Sequence, residues 1–190
     1  MSGEPAYLSI AEAAERIRSR ELSPVELTEA CLARIEKLEG KLNAFIRVMA
    51  DEARASASTA ADEIARGDYR GPLHGIPIAL KDLFDVAGVP TTAASKILAD
   101  NIAATDSAAT KRLREAGAVL LGKLNLHQFA FGATGRSSDY GPACNPWDVS
   151  RVTGGSSSGS GAAVASGECM AALGTDTGGS IRIPASLCGV

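Results

Sequence analysis

Two glycine- and serine-rich segments constrain the fold of this 190-residue chain more than any other feature. They are residues 154–159 (GGSSSG) and residues 174–182 (GTDTGGSIR). Flexible linkers have polar flanks, whereas residues 162–165 after the first segment and 171–173 before the second are small and apolar. Glycine permits positive φ and lets backbone N–H groups converge into an anion-binding pocket. We therefore predict two turns embedded in a packed core, a setting that suits acyl transfer.

The order of the predicted secondary-structure elements indicates an α/β fold. Ser9 with Glu12, and Ser23 with Glu26, have the spacing of capping boxes and predict two helix starts. The second helix carries apolar residues at helical spacing and is predicted to end at Gly40. Further helices are predicted at 51–66, 106–116, 125–131 and 159–166, and strands at 44–49, 75–80 and 118–122. The last of these helices leads into an apolar segment at 170–173.

Composition and charge restrict the class of protein. With 45% hydrophobic and 22% charged residues, the chain is predicted to form one globular core. The net charge of −3 and the lack of a long basic tract give no reason to expect direct nucleic-acid binding. No leader-like start or membrane-spanning run is evident, so we expect a cytoplasmic protein without a membrane anchor. The four cysteines are far apart, which predicts buried thiols rather than a metal site or disulfides.

Several enzyme classes lack a required part in this sequence. The G-x-S-x-G match at 155–159 needs a later histidine, but His74 and His127 both precede it. Both histidines are left without a role. The Asp-Thr-Gly triplet at 176–178 occurs once, whereas aspartic proteases need two such carboxylates. No lysine follows either glycine-rich turn, which argues against a phosphate-binding loop.

Serine chemistry without histidine needs another base, and lysine can serve if burial lowers its pKa. Lys81 ends the apolar strand predicted at 75–80 and is the obvious candidate. A lysine after a strand is more often exposed to solvent. From the residues alone, the location of this side chain therefore stays open.

The sequence resembles the amidase signature family along essentially its whole length. The resemblance is carried by Lys81-Asp82 after Gly75-Ile76-Pro77, by Asn145-Pro146-Trp147, by Gly154-Gly155-Ser156-Ser157, and by residues 174–185. It implies a mixed β-sheet flanked by helices, with no cofactor. Ser158 departs from the pattern, since the family usually has glycine there.

The resemblance implies specific roles for the matched residues. Lys81 corresponds to the family's base, Ser156 to its bridging serine in a cis peptide, and Ser180 to its nucleophile. The backbone N–H groups of Thr177, Gly178, Gly179 and Ser180 correspond to its oxyanion hole. Ser157, Asp176 and Arg182 are expected to support the two turns.

The chain is expected to be the N-terminal part of a single amidase signature domain. We expect a helical segment at about 1–66, a sheet and catalytic core at about 67–190, and an incomplete sheet, because family members are more than twice as long. Three functions remain open. They are an amidase acting on small carboxamides, a glutamine-hydrolysing A subunit of a glutamyl-tRNA(Gln) amidotransferase, and an inactive fragment. A homodimer is possible for the first, and partner subunits are implied for the second.

Overall fold

The structure, a computed structural model, describes residues 4–190 and shows alternating helices and strands. The helices are α1 (Ile10–Arg18), α2 (Pro24–Leu42), α3 (Ala50–Ala65), α4 (Ala108–Glu115), α5 (Ser158–Ala165) and α6 (Arg182–Cys188). The strands are β1 (Phe45–Val48), β2 (Pro77–Lys81), β3 (Val119–Leu124), β4 (Cys144–Asn145), β5 (Asp148–Val152) and β6 (Ala171–Leu173). Short 3₁₀ turns occur at Pro5–Tyr7, Lys96–Leu98 and Gln128–Ala130.

A four-stranded mixed sheet in the order β1-β3-β2-β6 organises the fold, which confirms the predicted α/β class. β1 runs antiparallel to β3, and the other neighbours are parallel. All residues of β2 and β3 are buried, as is typical of strands in the middle of a parallel arrangement. β1 confirms the strand predicted at 44–49, and through it the mainly helical segment 1–66 contributes an edge strand to the sheet.

The first two helices start at the serines that the sequence indicated. Ser9 forms a complete capping box with Glu12, since each side chain accepts a hydrogen bond from the other residue's backbone N–H. Ser23 caps α2 by accepting from the Val25 N–H at 3.2 Å. The exposed Glu26 does not complete a box there, so the second prediction holds only for the start of the helix.

The end predicted for α2 was wrong. The helix continues past Gly40 to the buried Leu42, and Asn43 takes the left-handed conformation with φ 48°. The Asn43 amide donates to the carbonyl of Tyr140 at 3.0 Å. Glycine has no side chain that could form this tertiary hydrogen bond. The bond therefore explains why asparagine, and not glycine, ends the helix here.

Residues 125–131 do not form the predicted helix. The Asn125 amide instead donates to the carbonyls of Asn43 at 3.0 Å and Gly141 at 2.9 Å, which holds the chain extended beyond β3. Phe129, with φ 54°, is left-handed and interrupts any helical run. Contacts between distant segments thus override the local pattern.

Two elements were missed by the sequence analysis, the β4–β5 hairpin and α6. The hairpin docks on α6, because the Asn145 amide donates to the Leu187 carbonyl at 3.0 Å. The Trp147 Nε1–H donates to the Cys188 carbonyl at 2.7 Å. The Asn-Pro-Trp segment therefore ties the hairpin to the helix that follows the second glycine-rich turn.

Small residues bring α5 close to the strands and to α6. A Cβ on Gly159 would lie 2.2 Å from the Ala44 carbonyl oxygen, and one on Gly161 would lie 3.0 Å from the Pro184 carbonyl oxygen. Only glycine fits the first position, since the obstructing atom belongs to the backbone. This close packing places the residues just before α5 beside the ends of the strands.

Candidate active site

The predicted site residues converge where β2 and β6 end. The two strands are parallel, and Leu80 pairs with Leu173, so their carboxyl ends lie side by side. Lys81 is the last residue of β2, and Thr175 follows β6 by two positions. Carboxyl ends of parallel strands commonly form the binding crevice in α/β folds. Ser156 and Ser157, directly before α5, complete the group.

Lys81 is fully buried, and its side chain points to three hydroxyl groups. Its Nζ lies 2.7 Å from Ser156 Oγ, 3.0 Å from Ser157 Oγ and 2.8 Å from Thr175 Oγ1. Burial lowers the pKa of Lys81 to about 8, although the negative charge of Asp176 acts in the opposite direction. Because its hydrogen-bond partners are neutral, nothing in direct contact compensates for the loss of hydration of the ammonium form.

Ser156 and Ser157 are held by backbone hydrogen bonds from two other loops. The peptide bond between Gly155 and Ser156 is cis. The Ser156 carbonyl accepts from the His127 N–H at 2.8 Å, and the Ser157 N–H donates to the Ser180 carbonyl at 3.0 Å. The second bond directly connects the two glycine-rich segments that the sequence singled out.

Gly155 fits a space that admits no side chain. A Cβ there would lie 2.6 Å from the Gly135 nitrogen and 2.8 Å from the Gly132 carbonyl oxygen. Ser158, the departure from the family pattern, is fully buried and begins α5. The helix thus begins normally with serine, rather than the family's usual glycine, at this position.

Asp176 and Arg182 fix the second glycine-rich turn. The Asp176 carboxylate accepts from the backbone N–H groups of Gly179, Ile181 and Arg182 at 2.8 to 3.1 Å. The Arg182 guanidinium adds two bonds at 2.9 and 3.1 Å. These contacts, with the Arg182 side chain as the largest contribution, hold the pKa of Asp176 well below its usual range. The arrangement is the one expected of residues that organise a turn.

The backbone donors proposed for an oxyanion hole are not equally available. The Gly179 N–H, expected to be one of four, already donates to Asp176 Oδ1 at 2.8 Å. Among residues 4–190, the N–H groups of Thr177, Gly178 and Ser180 have no hydrogen-bond acceptor. The candidate set is thereby reduced from four donors to three.

A cavity of about 340 Å³ opens next to these groups, and Ser156 and Ser180 both line it. Residues 130–133 and Ile183 also line it. Within the described part of the chain, Ser180 Oγ forms no hydrogen bond with Ser156 Oγ. The structure thus brings the serines to one cavity without joining their hydroxyl groups.

Thr175 was missed by the sequence analysis, although its hydroxyl contacts Lys81 as closely as the two serines do. One signal was available in the sequence. If the strand at 75–80 and the apolar segment at 170–173 were parallel neighbouring strands, the residues directly after both would meet at the same edge of the sheet. The sequence analysis did not assign that neighbourhood, and the residue therefore had no predicted role.

The histidines lie outside this cluster. His74 is fully buried, and its Nδ1 accepts from the Arg70 N–H at 3.1 Å while its Nε2 faces Glu63 at 3.0 Å. Burial lowers the pKa of His74. His127 contributes its backbone N–H to the Ser156 carbonyl and was not predicted to do so.

The cysteines are free thiols: Cys31, Cys169 and Cys188 are buried, and Cys144 is half-buried. Burial was predicted for all four and is correct for three. Among residues 4–190, no cluster of three potential metal ligands occurs. The same residues include no helix of the length and hydropathy that a bilayer crossing requires.

The fold and the cluster of one lysine with several hydroxyl groups place this chain among the amidases. The family model for amidases matches residues 26–190, and the protein belongs to this family. The most similar relatives include the A subunit of the glutamyl-tRNA(Gln) amidotransferase of Anaeromyxobacter dehalogenans, which is 52% identical over 187 residues. That alignment covers 98% of this chain and 38% of the relative.

Solved structures give the same assignment. The peptide amidase from Stenotrophomonas maltophilia superimposes with a TM-score of 0.90 at 39% identity, covering 96% of this chain and 39% of that one. A vestigial protein complex described as revealing the origins of an s-triazine catabolic enzyme has a TM-score of 0.93 at 46% identity, with coverage of 96% and 40%. The chain thus spans about two fifths of the length of the proteins it matches.

Proposed function

We propose that this protein hydrolyses a carboxamide to a carboxylate and ammonia or an amine, through an acyl-enzyme on Ser180. The observation that carries the proposal is the buried Lys81, whose Nζ contacts Ser156 Oγ at 2.7 Å. A base near neutral pH is what a serine nucleophile needs, and burial lowers the pKa of Lys81 to about 8. Family membership supports the same reaction class.

The number of hydroxyl groups around Lys81 matches the needs of a neutral amine. A neutral amino group has two N–H donors and one lone pair. Ser157 Oγ and Thr175 Oγ1, at 3.0 and 2.8 Å, can accept the two N–H bonds. The lone pair is then directed at the hydroxyl of Ser156. In this arrangement Lys81 is ready to take the proton of Ser156.

Proton transfer would accompany attack on the amide. Ser180 Oγ attacks the carbonyl carbon, its proton passes to Ser156 Oγ, and the Ser156 proton passes to Lys81 Nζ. Both serines line the same cavity, and substrate binding must close the gap between their hydroxyl groups. Catalytic hydrogen bonds often tighten in this way only when substrate is bound.

The negative charge that develops on the carbonyl oxygen would be stabilised by backbone N–H groups. Thr177, Gly178 and Ser180 carry N–H groups without an acceptor among residues 4–190. Donors of this kind are worth about 3–4 kcal/mol each in other enzymes. Lys81 would then return the proton through Ser156 to the leaving nitrogen, and water would release the acyl group.

Labelling with a fluorophosphonate tests this proposal. The reagent should modify wild-type protein at Ser180 and leave Ser180→Ala unmodified, while Lys81→Met and Ser156→Ala should slow the reaction severely. Ser58→Ala, which removes an exposed hydroxyl from α3, should react like wild type. Normal labelling of Ser180→Ala or Lys81→Met would refute the proposed roles.

A second candidate is the A subunit of a glutamine-hydrolysing amidotransferase. The observation in its favour is that amidotransferase A subunits match 96–98% of this chain at 47–53% identity. Selective hydrolysis of glutamine and co-purification of partner subunits would support it, and the absence of both would exclude it. A folded chain that fails to label would instead support the third hypothesis, a fragment that is inactive alone.

A further inference from the structure

An ion pair next to the candidate active site is as deeply buried as Lys81. Asp82 directly follows β2, and its Oδ1 lies 2.7 Å from the Nζ of Lys123 on β3. The side chains of Lys123 and Asp82 are 1% and 0% exposed. Neither residue takes part in the proposed reaction. Burying a charge pair carries a large desolvation cost, so the presence of such a pair is not explained by a gain in the stability of the fold. The contacts around the pair indicate what else it does.

Both members of the pair bind the segment at residues 90–95. Lys123 Nζ donates to the Pro90 carbonyl at 3.2 Å and to Thr91 Oγ1 at 3.0 Å. Asp82 Oδ2 accepts from the Thr92 N–H at 2.9 Å and from the Thr92 hydroxyl at 2.5 Å. One buried pair therefore fixes three consecutive residues of this segment.

The same segment supports a second loop. The Ala93 N–H donates to the Asp82 carbonyl at 3.0 Å, and the Ala93 carbonyl accepts from the Phe129 N–H at 2.9 Å. Ala93 and Ala94 have φ of 52° and 59°, and Phe129 and Ala130 have φ of 54° and 57°. The left-handed region is unfavourable for residues with a Cβ and persists only where the surroundings impose it.

These two loops, residues 90–95 and 128–132, form what we call the rim. The rim reaches the candidate active site, because Ala130, Phe131 and Gly132 line the same cavity as Ser156 and Ser180. A continuous series of contacts thus leads from the buried ion pair through Thr92 and Ala93 to the wall of the cavity.

We propose that Asp82 and Lys123 are positioning residues that hold the rim in place beside the cavity. The proposal rests on the proposed function only in assigning the cavity to the amide substrate. Since the ion pair contacts the rim and not the hydroxyl groups around Lys81, its loss should weaken ligand binding and leave the covalent step largely unchanged.

Hydrogen exchange tests the link between ion pair and rim without requiring activity. In the Asp82→Asn/Lys123→Met double variant, which leaves no unpaired buried charge, the amides of Ala93 and Phe129 should exchange roughly ten-fold faster than in wild type. Amides in the middle of α2 should exchange as in wild type. Unchanged exchange at the rim in a folded double variant would overturn the proposal.

A second variant acts on the rim and leaves the ion pair intact. Ala93→Gly/Ala130→Gly relieves the steric strain at two left-handed positions, so it should fold and keep the rim in its native conformation. Arg20→Gly is the matched control, because Arg20 is also left-handed with φ 64° but is exposed and far along the chain from the cavity residues. Rim amides should exchange no faster than in wild type in either glycine variant, so that faster exchange is specific to loss of the ion pair.

Kinetics of fluorophosphonate labelling separate positioning from general damage to the fold. The ion-pair double variant should raise the half-saturating reagent concentration by roughly ten-fold and change the limiting rate less than about two-fold. A fall in the limiting rate with unchanged half-saturation would overturn the proposal. If wild type itself does not label at Ser180, the proposed function fails, whereas the exchange measurements still decide the role of the ion pair.

Discussion

Glu168 should make the stability of this protein fall as the pH rises. Its side chain is fully buried after α5, where Oε2 accepts from Ser166 Oγ at 2.9 Å and Oε1 has no partner among residues 4–190. Burial raises the pKa of Glu168 to about 8, and the nearby Glu39 carboxylate adds to this effect. The Ser166 hydrogen bond and the Arg34 charge only partly oppose it.

The direction and size of the effect follow from proton linkage. The carboxyl group has a pKa of about 8 in the folded chain and 4.5 as its ordinary value. Between these values the folded state holds a proton that the unfolded state releases, so the free energy of unfolding decreases with increasing pH. A shift of this size corresponds to about 5 kcal/mol in total, of which about 3 kcal/mol should be lost between about pH 5.5 and 8.5.

Urea unfolding of wild type and Glu168→Gln across this pH range measures the effect. The substitution should remove most of the slope. Glu39, whose pKa burial also raises, adds to the slope that remains, whereas the lowered pKa values of Lys81 and His74 act in the opposite direction. Glu36→Gln removes an exposed carboxylate from α2 and serves as the control for net charge. The reasoning is refuted if the stability of Glu168→Gln changes with pH in the same way as that of wild type.

Three further predictions concern the candidate active site. Because burial lowers the pKa of Lys81 to about 8 and its neutral amine is the proposed base, the labelling rate of Ser180 should rise through about pH 8 and then level off. Thr175→Val removes an acceptor 2.8 Å from Lys81 Nζ, and leaving that buried N–H unpaired should cost about 1–3 kcal/mol, or roughly 5- to 150-fold in labelling rate. Gly155→Ala should lower both the melting temperature and the labelling rate, because its Cβ would lie within 2.6–2.8 Å of backbone atoms.

Each of these predictions has a control and a contradicting result. A labelling rate that stays constant from about pH 6 to 9 would contradict the lysine-base assignment. Thr59→Val, at an exposed position of α3, should label normally, and equal loss in both threonine variants would argue against a specific role of Thr175. Gly40→Ala, where a Cβ meets no atom within 4 Å, should not lower the melting temperature. An intact Gly155→Ala protein would show that the loop can shift.

The parts of the fold that local patterns predicted correctly are those with strong periodicity or clear caps. Ser9, Ser23 and Ser107 each cap a helix that the sequence indicated, since capping depends on residues only two or three positions away. The buried strands were equally visible as short apolar runs. The errors at Gly40 and at residues 125–131 arose where tertiary hydrogen bonds decided the backbone conformation.

The candidate site divides in the same way. The identity of Ser156, Ser180 and Lys81 as the residues of interest came from the sequence and its resemblance to a family. Their proximity could not come from it, because Lys81 and Ser156 are separated by 75 positions. Thr175 and the single occupied donor at Gly179 also became visible only when the strands and the turn were placed in space.

The sequence by itself determined the α/β class, the approximate positions of most helices and of most strands in the main sheet, and the residue types available for chemistry, since these depend on side-chain periodicity and short-range hydrogen bonding. Only the tertiary structure decided that Lys81 loses its water to burial and contacts three hydroxyl groups. It also decided that Lys123 and Asp82 pair beneath the rim. A pKa shift and a buried ion pair both depend on which distant segments exclude water together, and that information is absent from any local stretch of the chain.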